Sequence, residues 1–180
     1  EGGDADARER VLAAARSVSG SLNLPGAAEF TIQAQFPGHA GLGRGTQLAL
    51  SAACALCRLY GQEWTARDLA RMTGRGGTSG IGTASFGGGG FIIDGGHSFG
   101  ATRDKTAFLP SSASQGVRPP EVILRRDFPE AWKILLVIPE VSPGASGRAE
   151  RDLFLRYCPV PLEEVRELCH LAMVSLLPGL

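Results

Sequence analysis

The chain has 180 residues, 43% hydrophobic and 20% charged, a balance that excludes a disordered tail and fits one globular domain, alone or with part of a second. Its 18 Lys and Arg offset its 18 Asp and Glu, and this lack of basic excess argues against a nucleic-acid or membrane surface. No apolar run approaches the roughly 20 residues of a membrane span, and no signal peptide is visible.

In chain order, the first element is a helix over Asp6–Val18, with Val11, Leu12, Ala15 and Val18 on one face. Residues Glu29–Phe36 then alternate cleanly, Phe30, Ile32, Ala34 and Phe36 on one side, which predicts a half-buried antiparallel strand. The loop Pro37–Gly45 feeds a long apolar helix over Thr46–Tyr60, with Gly61 as its stop. Thr65, followed by Asp68, caps a short helix reaching Thr73. FIID (Phe91–Asp94) reads as a strand closed by a turn at Gly95-Gly96. EVILRR (Glu121–Arg126) and WKILLVIP (Trp132–Pro139) are further strands, the second apolar enough for burial on both faces. Helices over Arg148–Tyr157 and Leu162–Leu177 follow, the latter striped by Val165, Leu168, Ala172 and Leu176. The fold class is α+β.

The cysteines are Cys54, Cys57, Cys158 and Cys169. Cys54 and Cys57 make a CxxC inside a helical run, with no second pair at zinc spacing, so inert buried thiols in a reduced, cytoplasmic protein are expected.

Two glycine-rich loops remain. In PGHAGLGRGT the glycines lie between a strand and a helix, where the first helical turn has unpaired N–H groups and a positive dipole end. Gly41, Gly43 and Gly45 let backbone approach an anion, Leu42 lies between them, Arg44 adds charge and Thr46 a hydroxyl. In the stretch Gly74–Gly90, nine of seventeen residues are glycine, a composition hostile to helix or strand. Ile81 and Phe86 interrupt it as apolar anchors, so it reads as an ordered backbone cradle rather than a linker, with Arg75, Gly76, Gly77, Thr78, Ser79 and Gly80 as anion contacts.

Pro37-Gly38-His39-Ala40-Gly41-Leu42-Gly43 ahead of a small-residue helix resembles the phosphate-binding motif of the GHMP small-molecule kinases. Those kinases carry a later PSGxD segment with a catalytic aspartate. The matching residues here are Thr78-Ser79-Gly80-Ile81-Gly82, and glycine cannot accept a proton. GLGRGTQLAL, GRGGTSGIG, GGFIIDGGHSF, PSSAS and LVIP together resemble one branch of that superfamily, the β-ribofuranosylaminobenzene 5′-phosphate synthases of tetrahydromethanopterin biosynthesis. The likeness runs from Glu29 to the end, with Arg44 where the family has small residues.

The resemblance implies a GHMP-kinase-like domain (ribosomal protein S5 domain 2-like) over residues 1–115, and the start of a ferredoxin-like domain over 116–180. It further implies that the family's N-terminal strands and much of its C-terminal region lie outside these residues. The implied reaction condenses phosphoribosyl diphosphate with 4-aminobenzoate or 4-hydroxybenzoate, releasing carbon dioxide and diphosphate with Mg²⁺ as cofactor. An ATP-dependent GHMP kinase and a non-catalytic ligand-binding member are the alternatives. The expected partners are these small molecules, not nucleic acid or membrane, and a homodimer is left open.

Against that frame, Asp94 at a strand end is the first candidate for metal or ribose contact, and His97 for anion binding or proton movement. Lys105 joins Arg75 as a candidate substrate cation, and Ser111 and Ser112 as polar contacts. Arg125 and Arg126 read as a solvated strand edge, and Trp64 and Trp132 as packing residues.

Overall fold

The computed structural model describes residues 2–38, 40–75, 77, 80–96, 117–138 and 148–180. Helix α1 (Ala5–Leu22) begins earlier and runs further than the apolar face alone indicates. Its caps explain both ends. Asp4 Oδ1 accepts the Ala7 amide at 2.8 Å, and Asn23 takes the left-handed conformation that asparagine tolerates. Ala7, Val11, Ala14 and Val18 recur at helical spacing and form its buried stripe.

That stripe packs against α2 (Arg44–Leu59), where Ala49, Leu50, Ala52, Ala53, Leu56 and Cys57 are buried. Helix α3 (Ala66–Met72) is capped as expected, Thr65 Oγ1 accepting the Asp68 amide at 3.2 Å. Its Leu69 and Ala70 join Val18, Leu50, Leu56 and Cys57 in the main core. Full burial of a leucine such as Leu50 contributes about 2 kcal/mol relative to exposure.

Helix α4 (Gly80–Phe86) lies on α2 and α3 and leads into β1 (Phe91–Asp94). β1 pairs antiparallel with β2 (Val122–Arg126), Ile92 opposite Arg125 and Ile93 opposite Leu124, with an irregularity between Ile93 and Asp94. Further on are α5 (Arg148–Tyr157) and α6 (Leu162–His170), which continues through a π-helical segment, Leu171–Leu176, into a 3₁₀ turn, Leu177–Gly179. The described residues thus mix helix and strand.

Four expectations are corrected. Residues 29–36 are not a sheet strand; among the described residues the ladder contact recorded for them is a parallel bridge between Gly2 and Ile32. The alternation is real for Phe30 and Ile32, which pack on the α1–α2 core, but Phe36 is exposed, and alternation supplies no partner strand. Residues 132–138 are not a strand either, and their apolar side chains from Ile134 to Ile138 face solvent. The stripe of the last helix is likewise exposed at Val165, Leu168 and Leu176. Finally, Gly74–Gly90 contains a helix, because the glycines of α4 remove side chains where neighbouring elements crowd in. Gly80 and Thr83 are buried. A β-carbon on Gly80 would collide with Asp94 Oδ2 and Pro120 Cγ, and one on Gly82 would lie 3.1 Å from Thr46 Cγ2.

Arg125 is also more than a solvated edge. It donates to the carbonyls of Gly89 at 2.6 Å and Ala84 at 2.7 Å, stapling β2 to the end of α4. Trp64 and Trp132 are both substantially exposed, although Trp132 leans on Phe128 at a ring separation of 6.2 Å.

Candidate functional site

The entry to α2 builds the site. Gly41 and Gly43 hold φ of 73° and 67°, a left-handed conformation that favours glycine, and no atom lies within 4 Å of where their β-carbons would be. Gly43 therefore stands at the helix start with no capping side chain. Its carbonyl accepts the amides of Thr46 at 3.0 Å and Gln47 at 3.1 Å. The amides of Arg44 and Gly45 meet no acceptor among the described residues. They sit at the positive end of a 16-residue helix.

Around that end lies a cleft of about 240 Å³, lined by Pro37, Gly38 and residues 40–43 of the loop, the first turn of α2, Asp6 and Arg10 of α1, and Arg75. Arg75 comes from the second glycine-rich stretch, so one side chain of that stretch reaches the cleft of the first.

Three guanidinium groups meet here, and they are not equivalent. Arg44 is committed: Nη1 bonds Asp4 Oδ2 at 2.7 Å and Nη2 bonds Asp6 Oδ2 at 2.6 Å, with only a tenth of its side chain exposed. The Arg44 bond, helped by the Ala7 amide, holds the Asp4 carboxyl down at about 2 instead of the usual 3.8. Asp6 is lowered as well, by Arg10 first and against some desolvation, and Arg44 is correspondingly raised. This clamp ties the start of α1 to the start of α2. Arg10 is shared, its Nε donating to both Asp6 oxygens at 2.9 Å. Arg75 is half-buried, and no side-chain hydrogen bond or ion pair is recorded for it among the described residues. Burial, then the charge of Arg10, push its pKa down, with Asp6 opposing. The last two converge: Arg75 Nη2 and Arg10 Nη1 lie 2.9 and 3.0 Å from the position a β-carbon on Gly45 would occupy.

Of the residues singled out in the sequence, Gly41, Leu42, Gly43, Arg44, Gly45, Thr46 and Arg75 line this cleft. Gly77 and Gly80 are buried and do not line it, and neither does Asp94. Asp94 sits at the end of β1 against the start of α4, its Oδ1 accepting the Gly96 amide at 3.0 Å. Gly76, Thr78, Ser79, His97, Lys105, Ser111 and Ser112 lie outside the described residues, as does His39. Asp4, Asp6 and Arg10 had no motif to mark them. The i,i+4 pairing of Asp6 with Arg10 is legible in sequence, but its position over the first turn of α2 is not.

No group of three His, Cys, Asp or Glu is arranged to hold a metal among the described residues. The carboxylates bordering the cleft are engaged by guanidinium groups, and Asp94 offers a single one. In the CxxC pair Cys57 is buried and Cys54 half-buried, and burial, then the proximity of Cys54, raise the Cys57 pKa.

Residues 9–90 match the family model described as GHMP kinases N terminal domain. Apart from Asp6, the residues that line the cleft, Arg10 and Arg75 among them, fall inside the matched range. Over 96% of its length the chain is 47% identical to the beta-ribofuranosylphenol 5′-phosphate synthase of Methanothermobacter thermautotrophicus, covering 51% of that protein. It is 46% identical over 96% of its length to the synthase of the same name from Methanocaldococcus jannaschii, again covering 51%. A third, from Archaeoglobus fulgidus, is 48% identical over 84% of this chain and 47% of its own length. The chain thus spans about half the length of the curated relatives it matches. Among the described residues no helix is long and apolar enough to cross a membrane.

Proposed function

We propose that the protein containing this chain is a pentosyltransferase that joins phosphoribosyl diphosphate to an aromatic acid. The observation that carries this reading is a GHMP-type phosphate loop whose cleft is lined by arginines, in a chain 47% identical over 173 residues to a named synthase. The relatives' names specify a phenol product, so 4-hydroxybenzoate is favoured over 4-aminobenzoate as the acceptor.

The bond between the ribose anomeric carbon and diphosphate breaks with its electron pair leaving on oxygen. The ring carbon bearing the carboxylate supplies the pair for the new carbon–carbon bond, assisted by the para hydroxyl. The bond to the carboxylate then breaks, its electrons restore aromaticity, and carbon dioxide departs. Charges and atoms balance with no net proton consumed, which fits a site with no obvious base at Gly82. The chain's own contribution is electrostatic: Arg10, Arg75 and the α2 amides face the anionic end, and the Asp4–Arg44–Asp6 clamp holds them in position. A magnesium ion carried on the diphosphate would neutralise charge on the leaving group and would be held mainly by phosphate oxygens, because Asp94 does not line the cleft and Asp6 is engaged by Arg10 and Arg44. Residues 116–180 are read as the opening of a second, ferredoxin-like domain, its first strand β2 pairing with β1.

The test is the full-length protein with phosphoribosyl diphosphate, 4-hydroxybenzoate and Mg²⁺, without ATP. Equimolar release of carbon dioxide and diphosphate is the expected result. ATP turnover on a small alcohol, or no release with either aromatic acid, would overturn the reading.

A further inference from the structure

Arg10 belongs to none of the glycine motifs, yet it reaches the first turn of α2 across the helix interface. Its Nη1 and the Nη2 of Arg75 share the space beside the Gly45 Cα, each about one hydrogen-bond length from the β-carbon that glycine lacks. Two like charges held this close repel, and the partial burial of Arg75 adds to the cost. The carboxylate near them, Asp6, is already divided between Arg10 and Arg44. Among the described residues the charged groups lining the cleft are Asp6, Arg10, Arg44 and Arg75, with Asp4 bonded behind them to Arg44. Counted over the described residues, one carboxylate in the cleft against three guanidiniums leaves an excess of positive charge.

We propose that Arg10 and Arg75 form a two-pronged clamp for a phosphate or diphosphate anion, with Gly45 kept bare so that both prongs reach it. This rests on the transferase reading for its substrate, where the diphosphate leaving group is the anion in question. Guanidinium groups suit it because paired N–H donors match two phosphate oxygens. Arg75 is the stronger prong, since Arg10 is already half satisfied by Asp6.

The probe is inorganic diphosphate, titrated calorimetrically into the full-length protein. Arg75→Gln is expected to weaken binding tenfold or more, Arg10→Gln several-fold, and Arg16→Gln, on exposed α1 surface, not at all. Arg75→Gln also relieves repulsion, so its melting temperature without ligand is expected to equal or exceed wild type, while diphosphate no longer raises it. Gly45→Ala gives a second route that keeps both arginines. It replaces a helical glycine, so the fold gains stability, yet its methyl displaces both prongs and diphosphate affinity falls. Unchanged diphosphate affinity in Arg75→Gln and Gly45→Ala overturns the clamp. The two failures are separable: wild-type carbon dioxide release by both variants sinks the clamp alone, whereas Arg75-dependent diphosphate binding without any release sinks the transferase reading alone.

Discussion

The two glycine-rich stretches look alike in composition and use glycine for opposite reasons. Around Gly41 and Gly43 there is open space, and glycine is needed for a backbone conformation that exposes amides. Around Gly80 and Gly82 there is no space, and glycine is needed because Asp94, Pro120 and Thr46 occupy the place of a side chain. The first stretch makes a cleft; the second makes a close-packed helix and sends Arg75 into that cleft. Glycine content alone does not distinguish a cradle from a packing surface.

Substitution separates the two roles. The largest effect is expected at Gly80→Ala, where a β-carbon meets both Asp94 and the Pro120 ring; overpacking there should destabilise the fold by about 3 kcal/mol in denaturant melts. Gly43→Ala meets no atom, so its cost is conformational alone, about 1–2 kcal/mol, and it should weaken anion binding as the loop shifts. Equal costs at the two sites would erase the distinction drawn above.

The smallest effect belongs to the clamp that ties the first loop to α1. The Asp4 pKa is lowered from 3.8 to about 2 in the folded chain. Its contribution is present above the unfolded value and fades as pH falls from about 4 through about 2. Asp4 is solvent-exposed, so the loss is modest. Asp4→Asn should therefore lose this modest contribution at neutral pH, match wild type below about pH 2, and so flatten the acid limb in between. An identical acid limb in wild type and Asp4→Asn would remove the ion pair from the account.

Local signals in the sequence located most helices, because caps and apolar periodicity are local. Thr65 with Asp68, Gly61 after α2, and the FIID strand with its Gly96 turn all lie where their residue types put them. What was not legible depends on distant partners. Alternation at 29–36 and apolarity at 132–138 describe what a segment can pack against, not whether a neighbour is present. Likewise Arg44 in its loop reads as a free cation, and only the fold brings Asp4 and Asp6 against it. Arg10 was missed for the same reason, being 35 residues from Gly45 in sequence and adjacent in space.

The most direct measurement is a crystal structure of the full-length protein with phosphoribosyl diphosphate and Mg²⁺. The diphosphate is expected against the amides of Arg44 and Gly45, bridged by Arg10 and Arg75. Diphosphate bound elsewhere, with those two side chains still facing an empty cleft, would contradict it.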